Sequence, residues 1–443
     1  MTRHEEKVAE AVATIKSIND NGQALHFKKD SISHMVPNPY AKNKKGTKVD
    51  FSPFNKLIEI DAENMTATAE PGLTFLDLLD KTLPLGLMPY VVPELKTITI
   101  GGAVSGCSIE SQSYKVGGFH DNCLEYEVIS GTGEVLTCSP EKDADIFNLL
   151  HGSYGTLGRI SKLKFKLRST KPYMKMEYRH FDNFKTYWSE LKTLCKSEED
   201  LFIDGIVHSP AHMVICIGQL ADEAPYTSSY EWLNIYYKST ITKTEDYLTI
   251  KEYLFRYDAE CHWLTRTIPL METKPVRFAV GKLVLGSSKM ISWSNRLKSV
   301  MRLKKRPEVV VDVFIPAFRF DEFYSWYEEK FEFFPLWLVP YKMKEIYPWV
   351  DDEYAKKMGD GFLIDAAVYG KLNNDPNVDY SELLENKVTD VNGVKTLISR
   401  NHYSREEFWK IFNKPRIESA KKRLDPNNLF GDLYEKFAPH NYS

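Results

Sequence analysis

Long apolar runs are missing from this 443-residue chain, and none approaches the roughly 18 residues that a membrane-spanning helix needs. Cysteine is sparse: six thiols are scattered with no Cys-x-x-Cys pair and no His partner at metal-ligand spacing, so neither a disulfide scaffold nor a zinc module is expected. No metal site is expected. Charge of one sign is lacking too. A net charge of −3 gives no reason to expect a nucleic-acid partner, and the one compact basic cluster, Arg302-Leu303-Lys304-Lys305-Arg306, reads as a solvated loop. The N-terminus has no apolar core of a leader; Val8, Ala11, Val12, Ile15 and Ile18 fall at helical spacing, which predicts an amphipathic helix. The expectation is a cytoplasmic protein, with peripheral membrane contact left open.

What is present is length and pattern. The chain exceeds a single compact core, so two or three domains are expected. From about residue 22 to 170, short apolar runs are broken by Gly, Pro, Asn and Asp. Leu57–Asp61 with Thr66–Glu70, and Tyr126–Ser130 with Glu134–Thr137, read as strand–turn–strand units; Phe75–Thr82 reads as a short helix. From about 175 to 395 the composition turns aromatic. Val309–Ile315, interrupted by Asp312, and Phe362–Tyr369 read as apolar strands, and Ser404–Phe437 as helix broken at Asp425-Pro426-Asn427-Asn428. The fold class is α+β.

Three small-residue segments sit at strand edges: Lys28–His34, Thr97-Ile98-Thr99-Ile100-Gly101-Gly102-Ala103-Val104-Ser105-Gly106-Cys107, and Gly152–Gly158. Bare backbone lets a flat or phosphate-bearing ligand approach where a Cβ would obstruct it. The pattern is not Gly-x-Gly-x-x-Gly, so a nicotinamide fingerprint is poorly supported, and a Gly-Gly pair alone is more often a packing turn than a cofactor site.

In order, Glu70-Pro71-Gly72, Val92-Pro93-Glu94-Leu95, Thr99-Ile100-Gly101-Gly102, Gly106–Ser111, Tyr114–Phe119, Asp121-Asn122 and Gly155–Gly158 resemble the FAD-binding domain of the vanillyl-alcohol-oxidase (PCMH) type. Within that superfamily the sequence looks most like the delta24-sterol reductase (Diminuto/Dwarf) branch. The likeness continues, more thinly, through Asp365–Gly370 and Arg405–Trp409. It implies a two-lobed fold: an FAD domain at 1–172, a substrate domain at 173–398, and a helical segment at 399–443 packing back on the first. It implies FAD contacts at Ser31, Ile32, Ser33, His34, Met35, Glu94, Thr99, Gly101, Gly102, Ser105, Gly106, Ser108, Ile109, Gly155, Gly158 and Ile160. The pyrophosphate is expected against backbone N–H groups of Ser31–His34 and of the Gly101–Gly106 loop.

His34 stands where covalent members carry the histidine bonded to the flavin, and a covalent link would favour alcohol oxidation over alkene reduction. Candidate catalytic groups are His402, Tyr403 and Arg405, with His262 as a further one; Asp365 reads as structural or as orienting a neighbour. The implied reaction is hydride transfer from NADPH-reduced flavin to a carbon–carbon double bond of a sterol or isoprenoid. Alternatives are an FAD-linked alcohol oxidase or dehydrogenase, and a flavin-binding protein without turnover.

Overall fold

The computed structural model describes residues 2–23, 25–28, 46–297 and 306–439. The first lobe holds β1 (Leu25–Lys28), β2 (Thr47–Asp50), β3 (Leu57–Asp61), β4 (Thr66–Ala69), β5 (Leu87–Pro89), β6 (Cys123–Ile129), β7 (Val135–Cys138) and β8 (Arg159–Ser169). Strands β3-β4-β8-β6-β7 form one antiparallel sheet with β5 paired to β8, while β1 and β2 pair in parallel. Both expected hairpins are there, with Leu57 opposite Ala69 and Tyr126 opposite Cys138. The helix Arg3–Asp20 buries Ala11, Ile15 and Ile18, the stripe its spacing foretold.

The second lobe begins with β9 (Tyr173–Phe181) and adds β10 (Phe202–Ser209), β11 (His212–Ala221), β12 (Glu245–Thr249), β13 (Val309–Pro316), β14 (Leu336–Lys342), β15 (Phe362–Lys371) and β16 (Val394–Lys395). They make one antiparallel sheet in the order β12-β9-β11-β10-β14-β15-β13-β16. Alternation along each strand gives the sheet two different faces. Ile203, Ile215, Val313, Leu338, Ile364 and Val368 point to a face roofed by the helices Phe184–Leu194, Phe320–Trp326 and Tyr380–Asp390. Met176, Tyr178, Ile206, Trp337, Val339 and Ala367 point the other way, into a core shared with Ala69, Phe75, Ile100 and Phe165 of the first lobe. One apolar core therefore runs through both lobes.

The chain then returns. The amide of Gly131 donates to the Leu424 carbonyl at 2.7 Å, the Lys421 ammonium to the Thr156 carbonyl at 2.7 Å, and the Lys436 ammonium to the Tyr154 carbonyl at 2.6 Å. Position 131 must be bare: a Cβ there would lie 2.2 Å from an Asp425 carboxylate oxygen. The break at Asp425 has a job, since its carboxylate accepts from the Leu429 and Phe430 amides and from Lys421. Among the described residues no helix is long and apolar enough to cross a membrane.

Candidate active site

The segment expected as a loop at Gly101 is a short helix, Ile100–Ser105, capped by Thr99, whose hydroxyl accepts from the Gly102 amide at 3.2 Å. Its donors are taken. Ile100 N–H goes to the Leu73 carbonyl, Gly101 N–H to Pro71, Gly106 N–H to Gly102 and Ser108 N–H to Ala103. The expectation that this segment presents free N–H groups to a pyrophosphate is corrected accordingly: folding of the cap and turn uses them first. What it offers a flat ligand is shape. Gly102 is exposed, and a Cβ on it would meet only the Thr99 hydroxyl, at 3.1 Å. Gly101 is bare for another reason, because a Cβ there would lie 2.4 Å from the Pro71 ring. A cavity of about 560 Å³ opens on the neighbouring Gly72–Thr74 stretch, lined also by Phe51, Ser52 and Lys56, and Thr74 bridges to Thr99. That volume is on the scale of ligand pockets.

The other small-residue loop is similarly packed. A Cβ on Gly155 would meet the Arg159 guanidinium at 2.7 Å and one on Gly158 would meet Val128 at 2.6 Å, while Ile160 is buried in the sheet. Ser105, Gly106, Ser108 and Ile109 are half-exposed. Residues Ser31, Ile32, Ser33, His34 and Met35 lie outside the described residues.

Facing the first lobe, the second sheet carries a cluster of polar groups in an aromatic setting. Glu94 does not stand alone: its Oε1 is 2.6 Å from Nδ1 of His262, which is buried. Burial works to raise the Glu94 carboxyl, but the charge and hydrogen bond of His262 outweigh it and hold the group below its ordinary range. The His262 ring lies edge-on to Tyr369, 4.1 Å between centroids, and 4.8 Å from Trp337. The Tyr369 hydroxyl donates to Asp312, a bond that crosses from β15 to β13. Burial pushes the Asp312 carboxyl up to about 6, against the lowering pull of that hydroxyl. Asp365, two registers along the same face, is buried with Oδ1 unpartnered among the described residues; burial and then the charge of Asp312 hold it well above its ordinary range.

His262 is aimed by strained backbone. Cys261, His262 and Trp263 all have left-handed φ, at 45°, 56° and 67°. Each such non-glycine residue costs on the order of 1–2 kcal/mol, which the surrounding packing must offset. The Tyr154 hydroxyl accepts from the Leu397 amide at 3.1 Å and its own amide donates to the Ser105 carbonyl at 3.2 Å, which links the Ser105–Ile109 segment to the chain just past β16.

The remaining sequence candidates are elsewhere. The His402 amide donates to both oxygens of Glu385 at 3.0 Å, and its Nε2 lies 3.9 Å from Asp379. Both acids belong to the start or body of the helix that roofs the far face. Tyr403 is buried, and Arg405 is an exposed partner of Glu435. Among the described residues these share no contact with His262. Sequence reasoning missed the Asp312–Tyr369 pair, although a lone carboxylate inside the apolar run Val309–Ile315 was its signal. It also missed the joint between the lobes: Arg256, 1% exposed, lies 2.8 Å from Glu110 and 3.4 Å from Asp204, which accepts from the Trp337 indole at 2.7 Å.

Comparison with known proteins fits this architecture. Residues 4–139 match the family described as FAD binding domain. The chain is 25% identical over 399 residues to Delta(24)-sterol reductase of Homo sapiens, an alignment covering 86% of this chain and 75% of that one. It is 24% identical over 478 residues to Delta(24)-sterol reductase of Arabidopsis thaliana, covering 98% and 84%. A shorter likeness, 35% over 123 residues, covers 28% of this chain and 23% of Cytokinin dehydrogenase 3 of Oryza sativa subsp. japonica.

Proposed function

We propose that this FAD-dependent oxidoreductase reduces a carbon–carbon double bond of a sterol or isoprenoid. The observation that carries the reading is the Asp312–Tyr369 and Glu94–His262 cluster, set among Trp337 and Tyr257 on the sheet face turned to the FAD-binding lobe. The chain-long likeness to reductases of that bond, spanning both lobes, supports the direction.

The bare surface at Gly102 and the half-exposed Ser105–Ile109 segment fit an extended, flat cofactor, with Thr99, Gly106, Gly155 and Gly158 shaping the backbone around it. Ser31–Met35 are proposed as its phosphate contacts. Bound FAD, reduced by NADPH, supplies the hydride. The second carbon then needs a proton, and Asp312 in its acid form is the donor we assign, with Tyr369 fixing the carboxyl orientation. Glu94 holds the His262 ring, whose Nε2 is unpartnered among the described residues and free to orient a substrate hydroxyl. The aromatic walls exclude water and fit an apolar ring system.

The test is anaerobic. FAD-loaded protein should be bleached by NADPH and re-coloured by a sterol or polyprenol bearing an isolated double bond, with the saturated product appearing. Bleaching by an alcohol instead, with no response to NADPH, would reverse the direction. His34 supports that second reading, because a covalent flavin favours alcohol oxidation. Colour retained in an acid-precipitated pellet and lost in His34→Ala would establish it.

A further inference from the structure

The helix Lys274–Val284 faces the wrong way for a surface helix. Its buried stripe is polar and small, Arg277 and Gly281, while Phe278 and Leu283 are 67% and 68% exposed. The anchoring explains the rotation. The Arg277 guanidinium lies 2.8 Å from Glu260 and donates to the Trp232 and Asn234 carbonyls, so this charge must point inward. Gly281 sits under Trp232, where a Cβ would come within 2.9 Å of the ring. With those two positions fixed, the large apolar side chains have nowhere to go but out.

The same outward character continues on both sides. Ile268 and Leu270 protrude from the preceding loop, Val280 is 37% exposed, and Trp293 of the helix Ser287–Leu297 reaches the Leu283 carbonyl. These six are a large part of the exposed bulky apolar side chains among the described residues. Clusters of this kind mark interaction sites. The charge is equally one-sided: from Thr273 to Leu297 the sequence has Lys274, Arg277, Lys282, Lys289 and Arg296 and no acidic residue, and it runs on to Glu308 without one. In a chain of net charge −3 that is a segregated basic stretch.

We propose that this helix pair is a docking face for an anionic lipid surface. Phe278, Leu283 and Trp293 enter the headgroup layer, and Lys282 and Lys289 meet its phosphates. Exposed bulky apolar groups combined with lysines and free of acids are the composition of interfacial helices. A second copy of the chain is a poorer occupant, because it would bring two basic faces together. The position suits an apolar substrate. Ser287 donates to Asp258, which accepts from the Lys96 amide, so the pair is tied to the loop that carries Glu94 and Lys96. That last point rests on the proposed reaction; the docking does not.

The experiment is flotation of the full-length, FAD-loaded chain with vesicles of phosphatidylcholine containing about 30% phosphatidylserine, compared with phosphatidylcholine alone. Wild type should float with the anionic vesicles and be released by high salt. Phe278→Glu with Leu283→Glu should lower the partition at least about tenfold at unchanged melting temperature, and Lys282→Glu with Lys289→Glu should weaken it while leaving NADPH bleaching intact. Wild type staying at the bottom of the gradient overturns the proposal, as does a Phe278/Leu283 variant that floats like wild type. A concentration-dependent dimer that the same variant abolishes, without any flotation, would assign the face to self-association instead. Loss of bleaching with flotation intact would strike the proposed reaction alone.

Discussion

Replacing Tyr369 by Phe removes one oxygen, and the structure states what depended on it. Asp312 accepts that hydroxyl, and burial has already pushed its carboxyl up to about 6. The hydroxyl bonds better to the carboxylate than to the acid, so removing it disfavours ionisation. A hydrogen bond to a charged group contributes about 1.5–3 kcal/mol. At about 1.4 kcal/mol per pH unit, the titration midpoint should rise by roughly one to two pH units. The carbonyl stretch of the protonated carboxyl, followed by infrared difference spectroscopy, reads this directly, with Asp312→Asn identifying the band. The same ionisation should govern turnover. If the acid form delivers the proton, wild-type activity falls as pH rises through about 6, and in Tyr369→Phe that fall moves alkaline. If the carboxylate is a base for alcohol oxidation, activity rises through the same pH instead. A midpoint that stays put or moves acid would refute the assignment of Tyr369 as the Asp312 donor.

Arg256→Met strands Glu110 and Asp204 as buried carboxylates and should cost about 3–5 kcal/mol, a drop on the order of 5 °C in calorimetric melting temperature for a chain of this length. The deficit should shrink at lower pH, because burial already raises Glu110 and the unpaired acid can take up a proton; an unchanged melting temperature would show the pair to be dispensable. Gly102→Trp should abolish FAD retention while the apoprotein melts normally, since its side chain projects outward, whereas Gly101→Ala should destabilise the fold against Pro71; flavin absorbance and melting temperature of the two variants decide it. His262→Ala should lower kcat at least about a hundredfold at full flavin content. His402→Ala, whose contacts are on the helix-roofed side of the sheet, should keep turnover within about threefold.

The sequence was most informative where a single period governed a residue's surroundings. The Arg3–Asp20 stripe, both hairpins of the first lobe and the apolar strands β13 and β15 follow directly from alternation or helical spacing. Glycines were harder. Gly101 and Gly102 look alike in sequence, yet one is bare to clear Pro71 and the other faces out, a distinction that depends on a strand end thirty residues away. Asp312 announced itself as a charge in an apolar run, but its partner Tyr369 is set by cross-strand register, which composition does not encode. His262 gained its place through three consecutive left-handed residues, and Arg277 turned its helix over; both are tertiary outcomes that override local preference.

The return of residues 421–436 to the first lobe has a consequence for how the protein is made. Thr156, Tyr154 and Gly131 wait for Lys421, Lys436 and Leu424, side chains and carbonyls that emerge from the ribosome 265 to 293 residues later. The cofactor-binding lobe is begun first and finished last. Early-synthesised strands must persist through translation of the whole second sheet before their closing segment exists.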